Sequence, residues 1–130
     1  MPLLPADTAI LDDRGLAYQV TDDAGMTCVV ISGWSLPDGY DRDESDLLIR
    51  LPAGFPDVAP DMWWFDPPVR QSDGSAPPAT EAVEVHLQRS WQRWSRHFDA
   101  GQWQSGIDGL QSYLALITHE LVRCALGSAA

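Results

Sequence analysis

The side chains in these 130 residues best suited to nucleophilic or acid–base work near neutral pH are the thiols Cys28 and Cys124, the imidazoles His86, His97 and His119, and the hydroxyl of Ser95. Ser95 stands in the run Trp91-Gln92-Arg93-Trp94-Ser95-Arg96-His97. A thiolate would be the strongest nucleophile of the set. Yet Cys28 falls in the β-branched run Met26 to Ser32 and Cys124 on an apolar stripe of helical spacing, so both read as buried small hydrophobes without CxxC spacing. A serine hydroxyl ionises far above neutrality and needs a base at hand. His97 and His86 are the bases available to Ser95, which otherwise is an ordinary loop hydroxyl. The histidines are 11 and 22 residues apart, matching no compact zinc motif, so no metal is expected. His119, late in a helical segment and opposite its stripe, complements the carboxyl-terminal dipole.

Arg89, Arg93 and Arg96 form the one local concentration of positive charge, and they stand beside Trp91 and Trp94. Arginine with tryptophan is the composition of interaction hot spots, so a carboxylate or an acidic tail could dock on Arg93, Trp94 and Arg96. The other reading of Trp91 and Trp94 is core.

Elements must position these groups. PADTAILDDRG reads as a helix of about two turns, with Pro5 in its first turn and Gly15 as left-handed terminator. Leu16 to Val20 and Met26 to Ser32 read as a hairpin around Thr21 to Gly25, followed by a polar connection over 33–44 and an inner strand, Ser45 to Leu51. Prolines at 52, 56, 60, 67 and 68 leave only Met62 to Phe65 as a further strand, and 70–80 reads as an exposed loop. In 81–98 Val83, Val85 and Leu87 alternate as in a strand, while Leu87, Trp91 and Trp94 have helical spacing, so partly irregular structure is expected. Ile107, Leu110, Tyr113, Leu114, Ile117, Leu121 and Cys124 form one stripe on a helix of about five turns, with Ser105 and Asp108 placed as a capping box. The fold class is therefore α+β in one domain, 1–130: an antiparallel meander of about four strands, with a short N-terminal and a long C-terminal helix on one side.

Nineteen acids against eight bases give a net charge of −11, which excludes nonspecific nucleic-acid binding. Residues 1–66 hold thirteen of the acids and three of the arginines, so a basic partner should prefer that half, with Asp41, Asp43, Glu44 and Asp46 as its acidic surface. There is no lysine. No apolar run approaches the about 20 residues that span a bilayer, and MPLLPADTA lacks a basic-then-apolar leader pattern. A cytoplasmic location without membrane contact is expected, and no cofactor.

Gly54-Phe55-Pro56 and Ala59-Pro60-Asp61-Met62-Trp63-Trp64-Phe65 resemble the aromatic-proline pair, spacer, proline and fourth strand of the ubiquitin-conjugating (UBC) superfamily. Trp103 stands where that superfamily carries a tryptophan a few residues after its active site. The run Trp91 to His97, with the short chain, resembles the bacterial UBC-like proteins called family E, over most of residues 5–125. The resemblance implies a UBC-like fold, with a ubiquitin-like modifier and its activating enzyme as partners. Counting back from Trp103, it also implies a nucleophile near Trp94 to His97, where no cysteine and no His-Pro-Asn element occurs. A noncovalent component is the leading expectation, with Ser95 and His97 as a degenerate catalytic site and Trp94, Arg93, Arg96 and Trp103 as binding residues. The alternatives are a divergent conjugating enzyme using Ser95, His97 or an unexpectedly exposed cysteine, and a small interaction domain unrelated to modifiers.

Overall fold

Alternation in the sequence becomes a single antiparallel sheet. In the computed structural model, which describes residues 5–97 and 102–129 and side chains through Ala125, helix α1 (Pro5–Asp13) leads into β1 (Ala17–Asp23) and β2 (Met26–Ser35). The N-terminal residues 1–4 and Phe98 of the ambiguous segment lie outside the described residues. Gly15 ends α1 in the left-handed conformation expected of it, at φ 69°. The first hairpin turns on Ala24 and Gly25 alone, both at positive φ, as a two-residue turn matching the twist of its strands requires. Asp22 and Asp23, expected in the turn, pair within β1. β3 (Glu44–Leu51) and β4 (Met62–Asp66) follow, and the prolines confine β4 as expected.

The expected four strands become six. β5 (Val83–His86) and β6 (Arg89–Ser95) form a second hairpin, and β6 inserts beside β4 to give the order β1-β2-β3-β4-β6-β5. The alternation of Val83, Val85 and Leu87 was the deciding signal, although both valines point to solvent. Leu87 and Gln88 take the left-handed turn without a glycine. Leu87 offsets part of that strain by packing beside Cys28, Leu48, Trp64 and Trp91. Because a strand reverses face at each residue, Trp91 and Trp94 lie on opposite faces of the sheet, which corrects the helical spacing.

The last helix, α2 (Leu110–Ala129), begins later than the stripe suggested, and Ile107 lies before it, 77% exposed. The Ser105–Asp108 box does not form. Asp108 instead accepts from the Gln104 amide, while Ser112 accepts from the Gly109 amide and so caps the helix from within its first turn. Leu110, Tyr113, Leu114, Ile117, Leu121 and Cys124 of α2, with Leu11 of α1, cover the sheet face carrying Val29, Ile31, Leu47, Ile49, Trp63, Phe65 and Trp94. The loop over 70–80 is less exposed than expected: Gln71 pairs with Tyr40 as an isolated bridge, and both Gln71 and Thr80 are buried.

Candidate functional site

The site grows from the end of β6, where the chain leaves the sheet against α2. Trp94 is fully buried, stacked on Trp63 with centroids 6.2 Å apart and edge-on to Phe65 at 5.6 Å. Its indole donates to Gln92 at 3.0 Å. The core reading of Trp94 therefore holds, and any contribution to binding passes through what lies on top of it.

Arg96 lies there, its guanidinium 5.0 Å from the Trp94 ring centroid. Nε donates to Glu120 at 2.6 Å, Nη1 donates to the carbonyls of Pro78 and Ser95 at 3.0 Å, and Nη2 reaches the sulfur of Cys124 at 3.5 Å. One side chain thus ties the strand end, the preceding loop and α2 together. Glu120 also accepts from Arg123 at 2.7 and 2.8 Å. The Arg123 contacts, with help from Arg96, hold its carboxyl below the usual range against the opposing effect of burial.

Arg93 and Ser95 occupy the opposite face. Arg93 donates to Glu84 at 2.7 Å and to the Ser95 hydroxyl at 3.0 Å, and that hydroxyl lies 4.0 Å from the Met62 sulfur. Burial alone would raise the Glu84 carboxyl, but hydrogen bonds from His86, Trp64 and Arg93 hold it below its ordinary value. Arg89 is paired with Asp66 and Asp46, lying over Trp91 at 4.3 Å. All three arginines of the basic run are thus neutralised by carboxylates of the chain itself. An acidic tail would have to displace one of them.

His97 lies 2.5 Å from Asp61 through Nδ1, and His86 lies 3.1 Å from Glu84 through Nε2. No hydrogen bond joins either imidazole to Ser95, so the structure brings Ser95 and His97 near in sequence without forming the nucleophile–base contact an oxyester requires. His119 is exposed on α2. Among the described residues no group of three or more His, Cys, Asp and Glu stands together as a ligand set.

Trp103 is half-buried and donates to the carbonyl of Pro56 at 2.8 Å, with Phe55 and Tyr113 rings about it. It fastens the proline-rich crossing to α2. The Tyr113 hydroxyl donates to the Met62 carbonyl at 2.9 Å, and burial pushes its pKa well up. Between the strand ends and α2 opens a cleft of about 170 Å³ with Trp63, Tyr113 and Leu116 as apolar wall and Arg96, His97, Gln102 and Glu120 as polar wall.

The two thiols differ. Cys28 is fully buried under the opposite face. Cys124 stands against the expected site, beside Arg96, with its sulfur also 3.9 Å from Arg123 and 3.8 Å from Glu120, yet the residue is 5% exposed. Sequence reasoning placed it on the stripe but missed this contact, as it missed Glu120, Asp61, Gln102 and Leu116. Glu120 followed at i+3 by Arg123 was a readable signal; the long-range partners left none. Of the acidic surface, Asp41, Asp43 and Glu44 are exposed, while Asp46 is half-buried and engaged with Arg89 and the Gly33 amide.

Among the described residues no helix is long and apolar enough to cross a membrane. The family model described as prokaryotic E2 family E matches residues 3–124. No curated protein matches the chain, and no solved structure does.

Proposed function

The chain belongs to prokaryotic E2 family E, and we propose that it serves a prokaryotic ubiquitin-like modification system by binding the modifier or its activating enzyme noncovalently, without carrying the modifier as a thioester. Family membership supports a UBC-like role and those two partners. The noncovalent reading rests on one observation: Cys124, on α2 beside the end of β6, lies under cover at 5% exposure with Arg96 against its sulfur. A thioester needs the sulfur in line with a partner's carbonyl, and a thiol closed off by packing cannot reach one.

In this reading the partner's extended tail lies along the cleft, against Leu116 and the apolar wall, with His97, Gln102 and Trp103 at its edges. Trp94 supports Arg96 from below, and Arg96 frames the cleft through Glu120. Arg93, on the other face, steadies Ser95 and the strand end. Asp41, Asp43 and Glu44 offer a basic partner its charge complement.

A second reading has one observation in its favour. Cys124 is the thiol beside the end of β6, within 4 Å of the Arg96 and Arg123 guanidiniums, so a movement of Arg96 would present its sulfur to a partner, as a divergent conjugating enzyme requires. The two readings separate by calorimetric titration of a ubiquitin-like modifier and its activating enzyme from the same organism. The first expects saturable binding without ATP, abolished by Leu116→Asp and unchanged by Cys124→Ala. Binding that requires ATP and Cys124 would establish the second.

A further inference from the structure

The two edges of the sheet differ. β1 carries Asp22 and Asp23 and belongs to the half of the chain with thirteen acids against three arginines. β5, at the other edge, has no proline and no lysine, the residues that commonly keep an edge from pairing. It belongs to residues 67–130, which are close to neutral with six acids against five arginines. The Ala82 carbonyl accepts from the Arg93 amide at 2.9 Å, and the β5–β6 register continues from that pair. Backbone groups alternate along an antiparallel strand, so Glu84 and His86 turn theirs to β6 while Val83 and Val85 turn theirs outward, where no described residue meets them. The side chains of these valines are also free, at 65% and 70% exposure. No charge guards this edge. Glu84 reaches back over its own sheet to accept from Arg93 of β6 at 2.7 Å and from the Trp64 indole of β4 at 2.9 Å, and the His86 ring lies edge-on to Trp64 at 5.2 Å. What β5 presents outward is therefore valine and unpaired backbone.

We propose that β5 pairs with β5 of a second copy of this chain, antiparallel about a two-fold axis, joining the two sheets edge to edge. An unpaired ladder selects an extended strand, and the sequence of β5 makes it complementary to itself. With the axis through Glu84, Val83 of each copy stands opposite Val85 of the other, so the outward groups of both residues are satisfied in phase and the valines of both strands gather on one face. On the other face Glu84 meets its counterpart, but each carboxylate is drawn inward by Arg93 and Trp64. Glu81 falls opposite Leu87 and meets no second acid. The same arrangement at β1 would bring two strongly acidic halves together. The proposal does not depend on the function assigned to the cleft.

The test combines sedimentation equilibrium of the whole chain with amide hydrogen exchange. Reversible dimerisation is expected between about 10 and 500 μM, the weak range suited to an interface well below about 1,200 Å². It should tighten as salt rises, because each copy carries a net charge of −11 and no charge is exchanged across the edge. With rising concentration the Val83 and Val85 amides should exchange more slowly, while Glu84 and His86, already bonded to β6, stay as they were. Val85→Pro deletes only an outward N–H, and Val85→Lys sets a charge at the edge; each should weaken dimerisation by about tenfold or more. Val20→Lys, on the β1 edge, should leave it within about twofold. A chain still monomeric at about 500 μM, a dimer indifferent to both Val85 variants, or protection arising at Tyr18 and Val20 instead would overturn the proposal. So would a monomer whose Val83 and Val85 amides are protected only by an added valine-rich peptide, which would assign the edge to a strand of another protein.

Discussion

The guanidinium of Arg96 lies 3.5 Å from the sulfur of Cys124, so the segment in which the sequence resemblance leads one to expect a nucleophile holds an arginine whose far end touches a thiol on the neighbouring helix. The thiol does not answer to solvent there. Access to it is set by how firmly Arg96 is held, and Glu120 holds it at 2.6 Å.

Thiol labelling reads that grip. In the native chain neither Cys28 nor Cys124 should react with a small disulfide reagent on the timescale of a free thiol, and both should react in denaturant. Arg96→Ala uncovers Cys124 and should speed its native labelling by about tenfold or more, leaving Cys28 protected. The rates are read by absorbance, and the sites by mass spectrometry.

Stability should follow the same residue. The Arg96–Glu120 pair is largely buried, with side-chain exposures of 15% and 14%, and four acceptors lose their donor when Arg96 is removed. Arg96→Ala is expected to cost about 2 to 4 kcal/mol in urea unfolding. Arg96→Lys restores the charge but not the fork, and should recover less than half of that.

Glu120 gives the pH dependence its sign. Its folded pKa is lowered from 4.5, so its contribution is fully present above that value and is lost as the pH falls through the lower folded value. Glu120→Gln should therefore be less stable than the natural chain at pH 7, with the difference shrinking progressively below about pH 4.5. Urea midpoints across that range measure it. A gap that widens in acid would contradict the assignment.

Trp94 and Ser95, neighbours in sequence, should behave oppositely. Trp94→Ala removes a fully buried indole and should cost about 3 to 5 kcal/mol. Ser95→Ala and His97→Ala, whose side chains engage Arg93 and Asp61 near the surface, should each change stability by about 1 kcal/mol or less, and Ser95→Ala, on the face away from the cleft, should leave partner binding intact. Chemical denaturation and titration calorimetry provide the two readouts.

What could be read from the sequence divides along the reach of its signals. Local signals sufficed for α1, its Gly15 terminator, β1 to β4 and the apolar face of α2, because strand alternation, prolines and a helical stripe act over a few residues. The β5–β6 hairpin was blurred because its turn uses Leu87 and Gln88 where Asn-Gly would have announced it. The start of α2 was misplaced because Ile107 extends the stripe while Gly109 and Ser112 set the cap. At the site, the basic run was legible but its neutralisation was not. Glu84, Glu120, Asp46 and Asp66 reach Arg93, Arg96 and Arg89 across strands and from the helix, and sequence spacing carries no record of such pairs.

The most direct test incubates the chain with a ubiquitin-like modifier, its activating enzyme and ATP, then compares intact masses with and without reductant and base. The account predicts a complex that survives gel filtration and a chain mass unchanged under every condition. A reductant-sensitive adduct at Cys124, or a base-sensitive one at Ser95, would contradict it.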